Sequence, residues 1–432
     1  MLRYQIITTQ VILILLVFYV GSAQQDIWID KNENENYVAR HECSFVQAGD
    51  KFIMFGGREK SQQLDIYDFK TNTWSMGGRV PKEFNHFQAT FYEGFVWVIG
   101  SFKTNTFPKE QPADYVWLYY PPTQSWIQGP EIPKTRRRGG AGLVIYNDKF
   151  YVVGGNTIGH SGGFVNWFDA YDPYKNTWVP LQSAPNARDH FSALVYQNKL
   201  YALGGRHSGG KGGFFAPLVA DVDVYDFTTG SWSSLNKPLP TPRAAPGVAL
   251  FNKELFVMGG EGEKPGPAYK LVEAYSLKTN TWINKANMHY PRHGTQAIRC
   301  GKGIYIAGGS PNRGGGRQLN MEVYSKDAPK GSPLIASYLD TPDVVCIKPN
   351  SKKIIKLKPS KGNTGIFISD IILKDEDTSK FKLNSNVKHI LINERGILNL
   401  EIENLDNTIG NVSEIEILFN GTQKKSIQLL SK

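Results

Sequence analysis

A Tyr followed seven residues later by a Trp recurs five times along the first three quarters of the chain. Each Tyr comes after a short apolar run that ends in Gly-Gly, and the loops between these two features differ in length. A period of about fifty residues is typical of solenoids, propellers and similar arrays. The fixed offset therefore indicates one repeated structural unit. The pairs are Tyr67/Trp74, Tyr119/Trp126, Tyr171/Trp178, Tyr225/Trp232 and Tyr275/Trp282.

Each unit predicts four short strands. In the unit around Lys199, we expect strands over residues 191–196, 200–203, 221–225 and 231–233. The last two are joined by a segment that contains Asp and Gly, as a tight turn requires. The apolar runs into Gly-Gly lie at residues 52–57, 150–155, 200–205, 255–260 and 304–309, with a degraded copy at 96–101.

The combination of double Gly, Tyr and Trp resembles the kelch repeat, over roughly Trp28 to Tyr324. The resemblance implies an all-β, six-bladed kelch β-propeller, related to the central domain of galactose oxidase. Tyr324 has no Trp after it, whereas Trp28 stands unpaired near the N-terminus. We expect an N-terminal strand around Trp28 to complete the last blade and close the ring over residues 24–327, because closure removes an exposed sheet edge.

The N-terminal segment predicts export. Met1–Ala23 has a basic start, an apolar run and a small-residue end, as in a secretory signal peptide. The alternative is a retained membrane anchor, but the apolar run at 11–20 is short for one. We therefore expect a secreted chain without stable membrane insertion after cleavage. The Asn-X-Ser/Thr motifs predict glycosylation at Asn411 and Asn420.

The C-terminal hundred residues differ from the repeats. Residues 333–432 lack Trp and Gly-Gly, and short alternating apolar runs separated by turns take their place. This pattern predicts an antiparallel, loosely immunoglobulin-like β-sandwich. A supporting or docking module is favoured over a second active site. The three cysteines, at 43, 300 and 346, do not form a disulfide scaffold, although one bridge and one free thiol remain open.

The charge and the long loops suggest where the chain binds. A formal charge of +10 favours anionic partners. In a secreted chain we expect an acidic glycan or an acidic protein or peptide, and no nucleic acid. The loops between the second and third strands are long and Gly-rich, and they share one face of the ring with the connections between blades. Long loops on a rigid frame commonly carry function.

Arginines recur on this predicted face. An Arg lies sixteen residues before Gly-Gly in five units, and Phe84 takes its place in the second unit. Each guanidinium can grip a carboxylate or sulfate with two hydrogen bonds, or can instead hold neighbouring loops through their carbonyls. In kelch domains that resemble this one, arginines of these loops contact acidic peptides, which implies the same for Arg138, Arg188, Arg243 and Arg292. The predicted ligand-binding residues are Arg40, Arg138, His160, Trp167, Arg188, His190, Arg206, His207, Arg243, Arg292, His293, Arg313 and Arg317.

An enzyme is the main alternative. A six-bladed kelch propeller could act on an acidic sugar as an epimerase or lyase, with arginines neutralising the carboxylate and a histidine moving the proton. The candidates are His160, Arg188, Asp189, His190 and Arg206. A copper oxidase would need a cysteine in the long loops, and neither Cys43 nor Cys300 lies in one. No spacing of His and carboxylates is typical of a metal site, and no cofactor is expected. We favour a recognition module over an enzyme.

Overall fold

The computed structural model describes residues 27–31, 37–58, 62–374, 380–384 and 387–432. In these ranges the regular structure consists of thirty-three β-strands and three short 3-10 turns, Pro121–Thr123, Lys134–Arg136 and Gly159–Ser161. The prediction of an all-β chain is therefore confirmed. The predicted signal peptide, Met1–Ala23, lies outside the described residues.

The same ranges contain no helix with the length and apolar character that crossing a membrane requires.

The strands between Trp28 and Ser325 form six antiparallel sheets of four strands each. The innermost strand of each sheet contacts that of the next, and the sixth sheet returns to the first. The sheets therefore close into a β-propeller, with its axis between the six innermost strands. We number the sheets as blades in chain order.

The strands of the propeller are short, and in blades one to five they follow chain order from the axis outward. Blade one is β2 (Cys43–Ala48), β3 (Lys51–Gly56), β4 (Gln63–Asp68) and β5 (Thr73–Arg79); blade two is β6 (Thr90–Tyr92), β7 (Phe95–Val98), β8 (Tyr115–Tyr120) and β9 (Ser125–Glu131); blade three is β10 (Gly142–Tyr146), β11 (Lys149–Val153), β12 (Phe168–Asp172) and β13 (Thr177–Leu181). Blade four is β14 (Ser192–Tyr196), β15 (Lys199–Leu203), β16 (Asp223–Asp226) and β17 (Ser231–Ser234); blade five is β18 (Gly247–Phe251), β19 (Glu254–Met258), β20 (Val272–Ser276) and β21 (Thr281–Asn284). Blade six is β22 (Ala297–Cys300), β23 (Gly303–Ala307), β24 (Met321–Ser325) and the N-terminal β1 (Trp28–Lys31).

The repeated Tyr–Trp offset is the register of the outer hairpin in each blade. In blades one to five, the Tyr of the third strand lies directly opposite the Trp of the fourth. In blade three, for example, Tyr171 and Trp178 stack with ring centroids 4.7 Å apart. Directly opposed aromatic pairs stabilise a two-strand ladder. The constant offset in the sequence therefore reflects a constant hairpin.

The ring closes as the unpaired Trp28 predicts. The strand β1 pairs antiparallel with β24, and Trp28 lies opposite Tyr324 with ring centroids 5.4 Å apart. The indole Nε1 of Trp28 donates a hydrogen bond of 2.8 Å to the carbonyl of Ala286 in the preceding blade. Trp28 is 5% exposed and belongs to the cluster between blades five and six. Closure thus buries a large side chain and pairs the edge of β24.

We expect Trp28→Ala to destabilise the whole propeller by about 3–5 kcal/mol, since it removes a large buried aromatic side chain. Deletion of residues 24–32 should lower the melting temperature further, because it leaves β24 unpaired. Thermal unfolding followed by circular dichroism measures both changes. An unchanged melting curve for the deletion would show that β1 does not hold the ring closed.

The C-terminal residues form two sheets that share one hydrophobic cluster. The cluster fills the space between the sheets, as expected of a sandwich. The four-stranded sheet has the order β25 (Tyr338–Asp340), β27 (Lys352–Ser360), β31 (Leu398–Asn404) and β29 (Phe381–Leu383). The five-stranded sheet has the order β26 (Val344–Ile347), β33 (Gln423–Ser431), β32 (Val412–Phe419), β28 (Ile366–Leu373) and β30 (Ile390–Ile392). The three cysteines are free thiols.

These sheets pack against the propeller and share part of its hydrophobic core. Phe367 and Leu391 pack into the cluster that lies between blades two and three. The Phe367 ring lies 5.8 Å from that of Trp97, which is fully buried. Beside this contact, the hydroxyls of Tyr120 and Thr364 lie 2.9 Å apart. The C-terminal sheets therefore complete the core of two blades, which the sequence did not predict.

Asn420 is buried beside the same contact, which does not favour its glycosylation; this modification stays a prediction. It is 0% exposed, and its Oδ1 accepts a 2.9 Å hydrogen bond from the backbone N–H of Phe367. Asn411 is partly exposed, and its glycosylation stays a prediction.

We expect Phe367→Ala to cost about 3–5 kcal/mol, because it leaves a cavity against Trp97. Val412→Ala, at a half-exposed position of the same sheet, is the control. Urea denaturation measures both. A chain that ends at Asp327 should also unfold at a lower temperature than the full chain. A truncated propeller as stable as the full chain would mean that the shared core adds nothing.

Candidate functional site

The recurring arginines lie beneath the ring surface and hold each blade together. Arg40, Arg138, Arg188, Arg243 and Arg292 are all 3% exposed or less. Each donates to the carbonyl of the first Gly of its Gly-Gly pair, sixteen residues later, at 2.7–3.2 Å. Each also pairs with a buried carboxylate of the third strand of its blade; these are Asp65, Asp169, Asp223, Glu273 and Glu322.

Blade two replaces this charged pair with two aromatic rings. Phe84 takes the place of the arginine, and Trp117 takes the place of the carboxylate. Their ring centroids lie 6.0 Å apart in an edge-on arrangement, and both are buried. Arginine and carboxylate are therefore lost together in this blade. A pair that changes as a unit serves the packing of the blade.

The prediction that these five arginines present a positive field to a ligand does not fit their placement. Each guanidinium is neutralised by a carboxylate and occupied by carbonyl oxygens, as described above. An anionic ligand would have to displace those partners from a buried position, which is costly. The sequence left two roles open for these arginines, binding an anion or holding neighbouring segments through their carbonyls. The structure supports the second role.

We expect Arg243→Met to cost about 3–5 kcal/mol, because it leaves the Glu273 carboxylate buried without a partner. The double variant Arg243→Phe/Glu273→Trp copies blade two and removes both charges, so it should be the more stable of the two. Arg317→Ala, at an exposed position, should change stability by less than about 0.5 kcal/mol. Chemical denaturation compares the three. Equal losses in the single and double variants would contradict the pairing argument.

The residues that line the axis occupy one fixed repeat position, just after the arginine or Phe84. Two positions after each arginine, or after Phe84, the backbone has a φ of 49–68° in all six blades. At five of the six junctions between neighbouring blades, a backbone N–H at or next to this position donates a hydrogen bond of 2.5–3.2 Å to the carbonyl of the equivalent residue in the neighbouring blade. Residues other than Gly rarely adopt this φ, and they keep it only where the surrounding structure imposes it. The six residues are Glu42, His86, Gly140, His190, Ala245 and Gly294.

Three imidazoles gather on this axis. His86 and His190 come from the axial level just described, and His160 comes from the long loop of blade three. Their ring centroids lie 4.5, 4.8 and 5.0 Å apart, and each residue is 3–5% exposed. Burial lowers the pKa of each ring, that of His190 to about 3. At neutral pH the three imidazoles are therefore uncharged.

Buried carboxylates surround the three rings. Glu42 Oε2 lies 3.6 Å from His86 Nε2, and its other oxygen lies 3.6 Å from His293 Nε2. Burial raises the pKa of Glu42 to about 7. Burial also disfavours the charge of Glu110, but His160 and Arg58 hold the pKa of that carboxyl at about 2. The axis is thus an enclosed polar site in which two carboxyl groups, those of Glu42 and Glu110, have very different pKa values.

The long loops cover this site. Ser161 of the blade-three loop donates through its N–H and its hydroxyl to the carbonyl of Pro108 in the blade-two loop, at 2.9 and 3.0 Å. Arg206 of the blade-four loop pairs with Glu261 of the blade-five loop, and Glu261 accepts 2.7 Å from the N–H of Gly314 in the blade-six loop. We call residues 101–114, 156–167, 206–220, 261–271 and 310–318 the loop cap.

The remaining predicted site residues lie in or beside the loop cap. His207 stacks on Phe164 with ring centroids 4.3 Å apart. Trp167 lies beneath the guanidinium of Arg136, 4.4 Å away. Arg313 lies over Phe215 at 4.2 Å, and Arg317 is exposed.

The set proposed for an acidic-sugar enzyme comes together only in part. His160, Asp189, His190 and Arg206 meet at the axis, through the hydrogen bond between His190 Nδ1 and Asp189 and a 3.2 Å contact between Arg206 Nη2 and His160 Nε2. Arg188 is not among them, because it is bonded to Asp223 within its own blade.

Sequence reasoning missed His86, Glu42 and Glu110. His86 and Glu42 occupy the same repeat position as His190, two residues after the arginine or its replacement. Aligning the units at that position would have placed Glu42, His86 and His190 together at the axis. Glu110 lies within a loop of irregular length and has no such counterpart.

Comparison with known proteins supports the repeat assignment. Residues 131–309 match the family model described as the KLHDC2/KLHL20/DRC7 Kelch-repeats domain. The chain contains kelch repeats. The matched range begins at the last residue of β9 in blade two and ends at the Gly-Gly pair of blade six.

Several kelch proteins are similar to this chain over the propeller. Kelch-like protein terF of Aspergillus terreus is 28% identical over 284 residues, which are 62% of this chain and 61% of that protein. Alpha-scruin of Limulus polyphemus is 23% identical over 261 residues, 59% of this chain and 28% of that protein. Human Kelch-like protein 23 is 24% identical over 269 residues, 62% and 45% of the two chains. This kelch chain thus matches less than two thirds of each relative.

The solved structure of YjhT has the same fold. It matches with a TM-score of 0.56 and 17% identity, and the match covers 67% of this kelch chain and 95% of that one. The likeness therefore extends over the propeller architecture.

Proposed function

We propose that this kelch protein is an exported interaction module that binds a protein partner on its loop cap. Kelch repeats of this family form protein-interaction modules, which fits a protein partner in general. We further propose that the partner presents a segment in which an acidic side chain lies beside an apolar one. The surface of the loop cap supports both parts of that recognition.

The observation that carries the proposal is an exposed apolar patch on the loop cap. Phe107, Ile158 and Phe214 come from the loops of blades two, three and four, and they are 49%, 51% and 38% exposed. The rings of Phe107 and Phe214 contact each other edge-on, 5.2 Å between centroids. Apolar side chains that cluster on a surface are typical of binding sites, and aromatic anchors often dominate binding energy.

Cations border this patch. Lys109 and Lys211 are exposed in the same loops, and the Arg58 guanidinium lies 5.3 Å from the Phe107 ring. The two exposed lysines attract an acidic segment, and salt weakens that attraction. Arg58 is already paired with Glu110, and the buried arginines of the blades are paired within them. The positive net charge of the chain acts in the same direction. An acidic glycan would use the cations but would leave the phenylalanines exposed.

Export of the protein rests on the sequence of Met1–Ala23. We propose that cleavage after this segment releases the propeller and the C-terminal sheets outside the cell. Binding of acidic segments on the loop cap does not depend on this step.

The test selects peptides from a random library on the full-length protein. We expect enriched peptides to carry Asp or Glu next to Leu, Ile or Phe, and their affinity to fall as salt rises. Phe107→Ser/Phe214→Ser should lower affinity at least tenfold, because it removes the apolar anchor. Lys109→Glu/Lys211→Glu should lower the affinity for acidic peptides and abolish its fall with salt, because it replaces attraction by repulsion. Isothermal titration calorimetry measures both.

Lys70→Glu/Lys278→Glu is the matched control, since it places the same charge change in the exposed turns between β4 and β5 and between β20 and β21, on the opposite face. It should leave the affinity unchanged. Selection of basic peptides would overturn the proposed acidic partner. Tight binding of a sulfated or uronate glycan, unaffected by the phenylalanine variant, would overturn the choice of a protein partner.

A further inference from the structure

The three imidazoles on the axis are arranged as metal ligands are, although the sequence spacing predicted no metal site. One ring nitrogen from each of His86, His160 and His190 lies within 4.8 Å of the corresponding atom of the other two. The three residues come from three different blades. No strand register or turn requires three histidines to meet at that point.

A hydrogen bond engages Nδ1 of every ring. His86 Nδ1 contacts Asn85 Oδ1 at 2.6 Å, His160 Nδ1 contacts Glu110 Oε1 at 3.0 Å, and His190 Nδ1 contacts Asp189 Oδ1. Each of these oxygens is an acceptor, so Nδ1 carries the proton and Nε2 carries the lone pair. Carboxylate or amide oxygens behind imidazoles hold metal-binding histidines in this tautomer.

Two of the three Nε2 atoms lack a hydrogen-bond partner. Those of His86 and His190 are buried, and within the described part of the chain nothing donates to them. A buried polar atom left without a partner is costly and calls for an explanation. The third, His160 Nε2, lies 3.2 Å from Arg206 Nη2, and the same guanidinium also binds Glu261 and Ser208. Arg206 therefore keeps two partners if it releases His160.

The surrounding charge favours a cation. Four buried carboxylates belong to this enclosure, whereas two guanidinium groups face them, those of Arg58 and Arg206. The carboxylates are Glu42, Glu110, Asp189 and Glu261. Among the described residues of this enclosure, carboxyl groups therefore outnumber guanidinium groups by two. A divalent cation balances that excess.

Space for a solvent ligand adjoins the rings. A cavity of about 40 Å³ is lined by Glu42, His86 and His190, among others. This volume is enough for a water molecule. Glu42 Oε2, at 3.6 Å from His86 Nε2, is also close enough to become a fourth ligand after a small rotation.

We propose that Nε2 of His86, His160 and His190 binds one divalent first-row transition-metal ion, with Glu42 or water as the fourth ligand. Nitrogen donors with a carboxylate suit Zn²⁺ and its neighbours better than Ca²⁺ or Mg²⁺. Around a tetrahedral ion with bonds of about 2.1 Å, the nitrogens lie about 3.4 Å apart. The donor nitrogens, which lie within 4.8 Å of one another, therefore approach by up to about 1.4 Å on binding, and Arg206 turns to its other partners.

The test uses the untagged full chain, stripped of metal with a chelator and titrated with Zn²⁺ or Co²⁺ alone. We expect one ion per chain with a dissociation constant below about 1 μM. Bound Co²⁺ should give the visible absorption of a tetrahedral site. His86→Gln and His190→Gln should each weaken binding about 100-fold. His207→Gln, the same change at a histidine that stacks on Phe164 outside the cluster, should bind as the wild type does.

A wild-type chain that binds neither ion at micromolar concentration would overturn the proposal, as would glutamine variants with unchanged affinity. If the variants fail to fold, which their melting curves reveal, crystals of the wild type with Zn²⁺ decide. An anomalous-scattering peak within bonding distance of the three Nε2 atoms supports the site. A peak only at the group of Asp30, His289 and Glu322 contradicts it.

Discussion

In five of the six blades, a buried bond between an arginine and the first carbonyl of its Gly-Gly pair anchors the segment that reaches the axis of this propeller. The arginine lies where one blade gives way to the next, and its carboxylate partner lies on the third strand. The connection between blades is therefore tied to two strands at once. The residues just after the arginine are then held at a fixed height, with the left-handed backbone that all six blades share.

That constraint separates two kinds of polar residue in the ring. Charges within the blades are paired locally and repeat with the fold. Charges and imidazoles at the axis do not follow the repeat, since only three of the six blades contribute a polar side chain at this backbone position. Glu42, His86 and His190 stand where other blades have Gly or Ala. The chemical character of the centre is thus set by substitutions at one repeat position, together with the loops that cover it.

Much of the fold could be predicted because its repeats leave regular marks in the sequence. The offset between Tyr171 and Trp178 is a hairpin register, and the unmatched Tyr324 predicted its pairing with Trp28. The role of the arginines could also have been predicted. A carboxylate stands two residues before the Tyr of each blade that has the arginine, and Trp117 stands there in the blade with Phe84.

The centre and the interface could not be predicted in the same way. His160 and Glu110 reach the axis from loops without a repeat, so no spacing places them beside His86. Phe367 is an apolar residue in an alternating strand, and nothing in that pattern says that it completes the core of another domain. Asn420 satisfies a glycosylation motif, yet the fold uses its amide oxygen to bind a backbone N–H. Each of these depends on contacts between distant segments.

The pairing of β1 with β24 also has a consequence for biosynthesis. The strand that closes the ring leaves the ribosome first, and its partner leaves roughly 300 residues later, a sequence separation that slows folding. Until the two meet, β24 is an open edge and Trp28 has no blade to enter. In that interval a second copy of the chain could offer its own β1 to the same edge. Crowding of nascent chains would then favour intertwined dimers over closed monomers.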